Sequence, residues 1–206
     1  MKVLLINGSP HAAGCTNRGL QEIEKELNLQ EIETQIWQLQ TKVIAGCRGC
    51  KYCYENQKCI IDDIVNEFAE AAIDSDGFIF GSPVHYAAAG GTITSFMDRV
   101  FYSAGVNLAH KPAAAIVSCR RGGASAAFDQ LNKYFAINNM PVVSSQYWNM
   151  IHGNTPEEVE KDLEGLQTMR TLGKNMAWLL KSIEAGKKLG IERPVKEEKA
   201  RTNFIR

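Results

Sequence analysis

Lys2-Val3-Leu4-Leu5-Ile6-Asn7-Gly8-Ser9-Pro10-His11-Ala12-Ala13-Gly14-Cys15-Thr16-Asn17 decides how the rest of this chain is read. Its first part is a short unbroken apolar run, the pattern of a strand buried on both faces of a parallel sheet. A loop of small residues and hydroxyls follows, and beyond it Leu20, Ile23 and Leu27 share one face of a helix. Strand, loop and helix in that order open a βαβ unit, and the alternation recurs downstream. Further apolar runs fall at residues 34–39, 77–81, 113–118 and 142–145.

The segments between them carry helical periodicity. Ile64, Phe68 and Ala71 mark a second helix, with Asp62 or Asp63 as its N-cap. Ile93, Phe96, Met97, Val100 and Phe101 mark a third, and Phe128, Leu131 and Phe135 a fourth. The last opens on Thr155-Pro156-Glu157-Glu158, a capping box with proline at the first helical position. Its stripe runs through Val159, Leu163, Leu166, Leu172, Met176, Leu179 and Ile183.

Five strands alternating with five helices predict an α/β fold: a doubly wound five-stranded parallel sheet, order 2-1-3-4-5, with helices on both faces. Ligands in that arrangement bind beyond the carboxyl ends of the strands, at the switch point between strands 1 and 3. The loops after Asn7, Gly81 and Ser118 are therefore the ones to inspect. Residues 1–185 form the expected domain. The mixed-charge segment 186–206 is either a solvated extension or a subunit contact.

Composition narrows the function. The 206 residues include 23 Lys plus Arg and 23 Asp plus Glu, a formal net charge of zero. A nucleic-acid binder ordinarily has a basic excess, so no nucleic-acid partner is expected. The apolar run at the N-terminus is too short for a signal peptide or a membrane span, which predicts a cytoplasmic protein with no membrane association.

The loop from Gly8 to Asn17 has the makings of an anion site, because its backbone N–H groups converge at a helix N-terminus. Ser9, Thr16 and Asn17 add side-chain donors. A nucleotide triphosphatase loop would need a lysine where Gly14-Cys15-Thr16 stands, and no Gly-x-Gly-x-x-Gly is present for a dinucleotide. A cysteine phosphatase would want an arginine closing the loop, and Cys15 has only Arg18, already inside the helix.

Gly-Ser-Pro-x-x-x-Gly-x-Thr after strand 1, Gly81-Ser82-Pro83-Val84-His85-Tyr86 after strand 3 and Phe96-Met97-Asp98-Arg99 in the third helix resemble the NADPH-dependent FMN reductase family. The likeness spans about residues 1–152 and is greatest to that family's iron–sulfur flavoprotein branch. It implies a flavodoxin-like fold with FMN phosphate held by Ser9, Cys15, Thr16 and Asn17, and His11 beside them. Pro83, Val84, His85 and Tyr86 would flank the flavin ring. The family often has an aromatic residue where this chain has His85, which leaves open ring packing, hydrogen bonding or no role.

In the third loop, Ser118-Cys119-Arg120-Arg121-Gly122-Gly123, paired glycines permit close backbone approach to a ring. Ser118, Arg120, Gly122 and Gly123 are the candidate contacts there. Arg120 or Arg121 would meet reduced flavin or a nicotinamide cofactor's phosphate; the plain alternative is two surface arginines.

Cys47-x-x-Cys50-x-x-Cys53, with Cys59 six residues later, is the most distinctive local feature. Four thiolates so spaced can ligate a [4Fe–4S] cluster or zinc, and reduced or oxidisable thiols without metal are the third reading. The iron–sulfur flavoproteins carry a similar compact motif. Compared with a bacterial ferredoxin run, the last spacer is five residues and Ile60 replaces the following proline.

The resemblance implies an FMN-dependent oxidoreductase moving electrons from NAD(P)H through FMN to a small-molecule or iron–sulfur acceptor, with no side-chain nucleophile. It also implies a homo-oligomer, dimer or tetramer, to which Tyr147-Trp148-Asn149-Met150 could contribute; the equal alternative for that segment is ordinary core aromatics. The alternative is a non-enzymatic electron carrier or redox sensor.

Overall fold

The computed structural model describes residues 1–40, 43–195 and 197–204. Lys196, Ile205 and Arg206 of the charged tail lie outside the described residues. The opening apolar run is β1 (Lys2–Asn7), and α1 (Cys15–Leu29) leads from it to β2 (Glu33–Gln38). The cysteine segment carries a short helix, α2 (Tyr52–Asn56), before α3 (Ile64–Ala71). Then follow β3 (Gly77–His85), β4 (Ala88–Ala89), α4 (Gly91–Leu108), β5 (Ala113–Cys119) and α5 (Ala124–Ile137). The chain closes with β6 (Met150–His152), α6 (Pro156–Val159) and α7 (Leu163–Lys188).

The parallel strands lie in the order β2-β1-β3-β5-β6, while β4 pairs only with β3. This is the predicted doubly wound order with one small antiparallel strand added. Because side chains alternate across a strand, the sheet feeds two cores. Leu4, Ile6, Phe78, Phe80, Ala115 and Val117 face α3, α4 and α5. Val3, Leu5, Ile79, Ala114, Ile116 and Ile151 face α1 and α7. Most of these residues are completely buried, and each large aliphatic or aromatic one contributes roughly 1.5–3 kcal/mol.

Besides the added β4 and the short α2, two elements differ from the sequence expectation. The fifth parallel strand is Met150–His152, not residues 142–145, where only Val142 makes an isolated bridge to Ala113. Asn149 is the reason. Its buried side-chain amide donates to the carbonyls of Ala115 and Val143, at 3.1 and 3.4 Å. It thereby occupies the sheet edge that residues 144–148 leave. The last helix is also interrupted. Thr155 caps only the single turn of α6, and Asp162 then caps α7 by accepting the Gly165 N–H at 2.9 Å.

β3 runs past the sheet edge and turns back as a hairpin whose two central residues, Tyr86 and Ala87, both have positive φ (49° and 59°). That turn suits the twist of the strands and is normally built from glycine or asparagine.

Candidate functional site

Three loops leave the carboxyl ends of β1, β3 and β5 and enclose a cleft of about 720 Å³, within the size range of small-molecule sites. Asn7 organises the first loop: its side-chain oxygen accepts the Ser9 N–H at 3.0 Å, and its amide donates to Gln38 Oε1 at 2.7 Å. Ser9 Oγ accepts the His11 N–H at 3.1 Å, and Gln38 donates onward to Asn17 Oδ1 at 3.0 Å. The loop's polar side chains thus meet one another.

The N-terminus of α1 is different. Its N-cap is Gly14, no side chain caps it, and the first intrahelical bond runs from the Arg18 N–H to the Gly14 carbonyl at 3.0 Å. The N–H groups of Cys15, Thr16 and Asn17 are the orphan donors of a helix start, turned to a cleft that Cys15 and Thr16 line. Thr16 Oγ1 and Ser118 Oγ, both buried, lie 2.8 Å apart at its floor. An uncapped helix start with two buried hydroxyls fits a phosphate monoester such as that of FMN.

No thiolate chemistry is set up here. Burial, with the carboxylates of Glu158 and Glu157 adding to it, pushes the Cys15 thiol up. The thiol lies 3.5 Å from the Gly153 carbonyl, to which it donates. Arg18 turns away, to Glu160 and Glu22.

Pro83, Val84, His85 and Arg120 line the same cleft, as do Ser9, His11 and Ser118. Asn17 is buried behind the loop, held by Gln38. Tyr86 stands fully exposed at the hairpin tip and outside the cleft lining. Gly122 and Gly123 line a neighbouring hollow with Tyr147 and Trp148. Gly123 needs its small size: a Cβ there would sit 2.6 Å from the Cα of Ala87, and its φ is +88°. Gly153, Asn154, Thr155 and Pro156 form the cleft's fourth wall; in the sequence only the capping box at Thr155 marks this segment, and it signals a helix start, not a ligand site.

A second hollow, of about 480 Å³, shares no lining residue with the first. Cys47, Cys50, Cys53 and Cys59 all line it, against Asp98, Arg99, Tyr102 and Ser103 of α4. Cys47 and Cys50 are exposed and the other two half-buried. Three residues here take left-handed backbone, Gly49 and the two that flank α2, Lys51 and Gln57. Burial raises the Cys53 thiol, and its three cysteine neighbours add to the effect.

Asn66 fixes the far end of the loop. Its amide bridges the Cys59 N–H and carbonyl, each at 3.0 Å. Among the described residues no three His, Cys, Asp or Glu side chains converge as ligands of one ion do. Four cysteines lining one cavity have the donor chemistry of an iron–sulfur or a zinc site.

The model of the NADPH-dependent FMN reductase family matches residues 1–155, which include all three cleft loops and the four cysteines. The chain belongs to this family. Among its relatives, an iron–sulfur flavoprotein of Methanocaldococcus jannaschii is 33% identical over 89% of this chain and 100% of its own length. Another iron–sulfur flavoprotein, from Archaeoglobus fulgidus, is 27% identical over 87% of this chain and 97% of its own. The solved structure of RosB with its bound intermediate has a TM-score of 0.71 at 12% identity, covering 100% of this chain and 92% of that one. At that identity the likeness shows the fold alone. Family and fold together support an FMN-dependent oxidoreductase. No helix among the described residues of this FMN reductase family member is long and apolar enough to cross a membrane.

Proposed function

We propose that this protein binds FMN in the cleft at the switch point and passes electrons from NAD(P)H to a small-molecule or iron–sulfur acceptor. The observation that carries the reading is the uncapped start of α1 opening onto the cleft beside the Thr16–Ser118 pair. Its N–H groups, with Ser9 and the helix dipole, would hold the phosphate. Pro83, Val84 and His85 would flank the ring, and Arg120 would face its negative charge or that of the donor. Bound FMN supplies the capacity to take a hydride and release electrons singly or in pairs.

Donor and acceptor would use the open side of the cleft in turn. Cys47, Cys50, Cys53 and Cys59 would hold a [4Fe–4S] cluster, a role supported by their shared cavity and by the names of the relatives. That cavity also favours a second reading, a carrier that exchanges electrons with protein partners without turning over NAD(P)H. The proposal includes a cytoplasmic homo-oligomer, dimer or tetramer, to be checked by light scattering.

The deciding experiment is anaerobic purification followed by an absorption spectrum, assays of FMN, iron and zinc, and steady-state turnover with NADH and NADPH. Bound FMN with many turnovers supports the enzyme. Bound FMN that NAD(P)H fails to reduce supports the carrier. A protein that takes up no FMN would sink both.

A further inference from the structure

Arg99 is 2% exposed and is the only buried cation among the described residues. From α4 it reaches the cysteine loop, where every one of its donors finds an acceptor. Nη1 donates to Asp63 Oδ2 at 2.7 Å and to the Ala45 carbonyl at 3.5 Å. Nη2 donates to Asp63 Oδ1 at 2.8 Å and to the Ile61 carbonyl at 2.9 Å. Nε donates to Cys59 Sγ at 3.3 Å. A guanidinium has five N–H groups; here four go to oxygen and the fifth to sulfur.

The placement is informative. Ala45 precedes the first cysteine of the loop, and Ile61 and Asp63 follow the last, so one side chain joins both ends. Asp63 compensates the buried charge through a two-bond pair, which allows the arginine to stay inside whether or not a ligand is present. Loop closure alone would be served by the oxygen acceptors. An N–H aimed at a cysteine sulfur gains most when that sulfur is a thiolate, as a metal ligand is.

We propose that Arg99 is the positioning residue of the fourth cluster ligand: it fixes Cys59 Sγ at the cavity wall and raises the reduction potential of the cluster held there. The inference rests on the reading that the four cysteines bind an iron–sulfur cluster. Its physical basis is that hydrogen bonds to ligand sulfurs favour the reduced, more negative cluster, and that partners of ligands typically change metal retention ten-fold or more.

Two variants test it in the full-length protein, reconstituted with iron and sulfide under anaerobic conditions. Arg99→Lys keeps a cation for Asp63 but loses the fork. Arg99→Gln combined with Asp63→Asn removes both buried charges, so that no lone carboxylate is left behind. FMN, iron and sulfide are counted per chain, the cluster midpoint is measured by EPR-monitored titration, and loss of iron to a chelator is timed. FMN content is expected to stay at the wild-type level in both. The midpoint should move lower, and iron should leave about ten-fold faster.

Wild-type protein that takes up no iron would overturn the cluster reading, and the role of Arg99 with it. Iron in wild type, with midpoint and chelation rate unchanged in both variants, would overturn the Arg99 assignment alone. Loss of FMN together with iron in both variants would also overturn it, by assigning Arg99 to the fold.

Discussion

The two hollows at the carboxyl edge of the sheet are built by opposite means. The cleft is framed by backbone: its loops leave strands β1, β3 and β5, main-chain N–H groups at the start of α1 join the Thr16 and Ser118 hydroxyls as its donors, and the Gly8 N–H is hydrogen-bonded to the Gly81 carbonyl at 2.9 Å. The cysteine hollow follows β2, a strand at the edge of the sheet, and side chains hold it. Arg99 and Asn66 fasten its ends while Cys47 and Cys50 stand exposed. A site built from backbone on central strands resists only those changes that alter the backbone's approach. A site hung on side chains fails when one distant tether is cut.

The largest effect is therefore expected at Gly8, where the loop leaving β1 presses against β3 and α4 next to the cleft. A Cβ at Gly8 would lie 2.5 Å from Cβ of Ile93 and 2.9 Å from the Gly81 carbonyl oxygen. Neither is the free end of a flexible chain, so Gly8→Ala should cost about 3 kcal/mol by overpacking and abolish FMN uptake. Urea denaturation and flavin fluorescence read both, and wild-type behaviour in either would break the account of a rigid cleft.

Next comes the tether. Asn66→Ala leaves the Cys59 N–H and carbonyl without their partners, at about 2 kcal/mol, and should lower iron content while FMN affinity stays constant. Loss of FMN affinity in parallel would mean that the two hollows form one cooperative unit.

A smaller change at the cleft floor sharpens the contrast. Thr16→Val removes the partner of Ser118 without changing shape, and is expected to weaken FMN binding about ten-fold, or ~1.4 kcal/mol. Unchanged affinity by fluorescence titration would count against the phosphate assignment.

Glu22 tests the scaffold beneath the cleft without touching its lining. Burial would raise its carboxyl, but hydrogen bonds from Arg170 and Arg18 outweigh burial and hold it below the usual carboxylate range. A depressed folded pKa stabilises above the unfolded value of about 4.3 and is lost as pH falls through the folded one. Glu22→Gln should thus be less stable than wild type at neutral pH, with the two proteins converging in acid. A gap that persists at about pH 2 would assign the loss to packing.

What the sequence disclosed follows the same division. β1, β3 and β5 were legible because continuous apolar runs such as Val3–Ile6 have no other stable use. The cleft loops were legible because glycine, serine and proline constrain backbone locally. The last strand was not: residues 142–145 look equally strand-like, and only the distant bond from Asn149 to Ala115 moves the ladder to Met150. The break between α6 and α7 hid behind an unbroken apolar stripe, since Asp162 recaps a helix that periodicity would continue. The cysteines announced themselves by spacing, but their tethers did not. Arg99 meets Asp63 and Ala45 across 36 and 54 residues, and in sequence it is one residue of an amphipathic helix.

The smallest structural effect is expected at the tip of the cysteine loop, and it is the sharpest test of the comparison. Cys50 is exposed and makes no hydrogen bond with its side chain among the described residues. Cys50→Ser should therefore change stability by less than about 0.5 kcal/mol. It removes one of four sulfur donors, however, and a serine oxygen is a poor substitute for a thiolate on iron. Iron per chain should fall while FMN per chain and the unfolding midpoint stay at wild-type values. If FMN fell with the iron, the exposed tip would be supporting the cleft after all, and the two hollows could not be as independent as their separate linings imply.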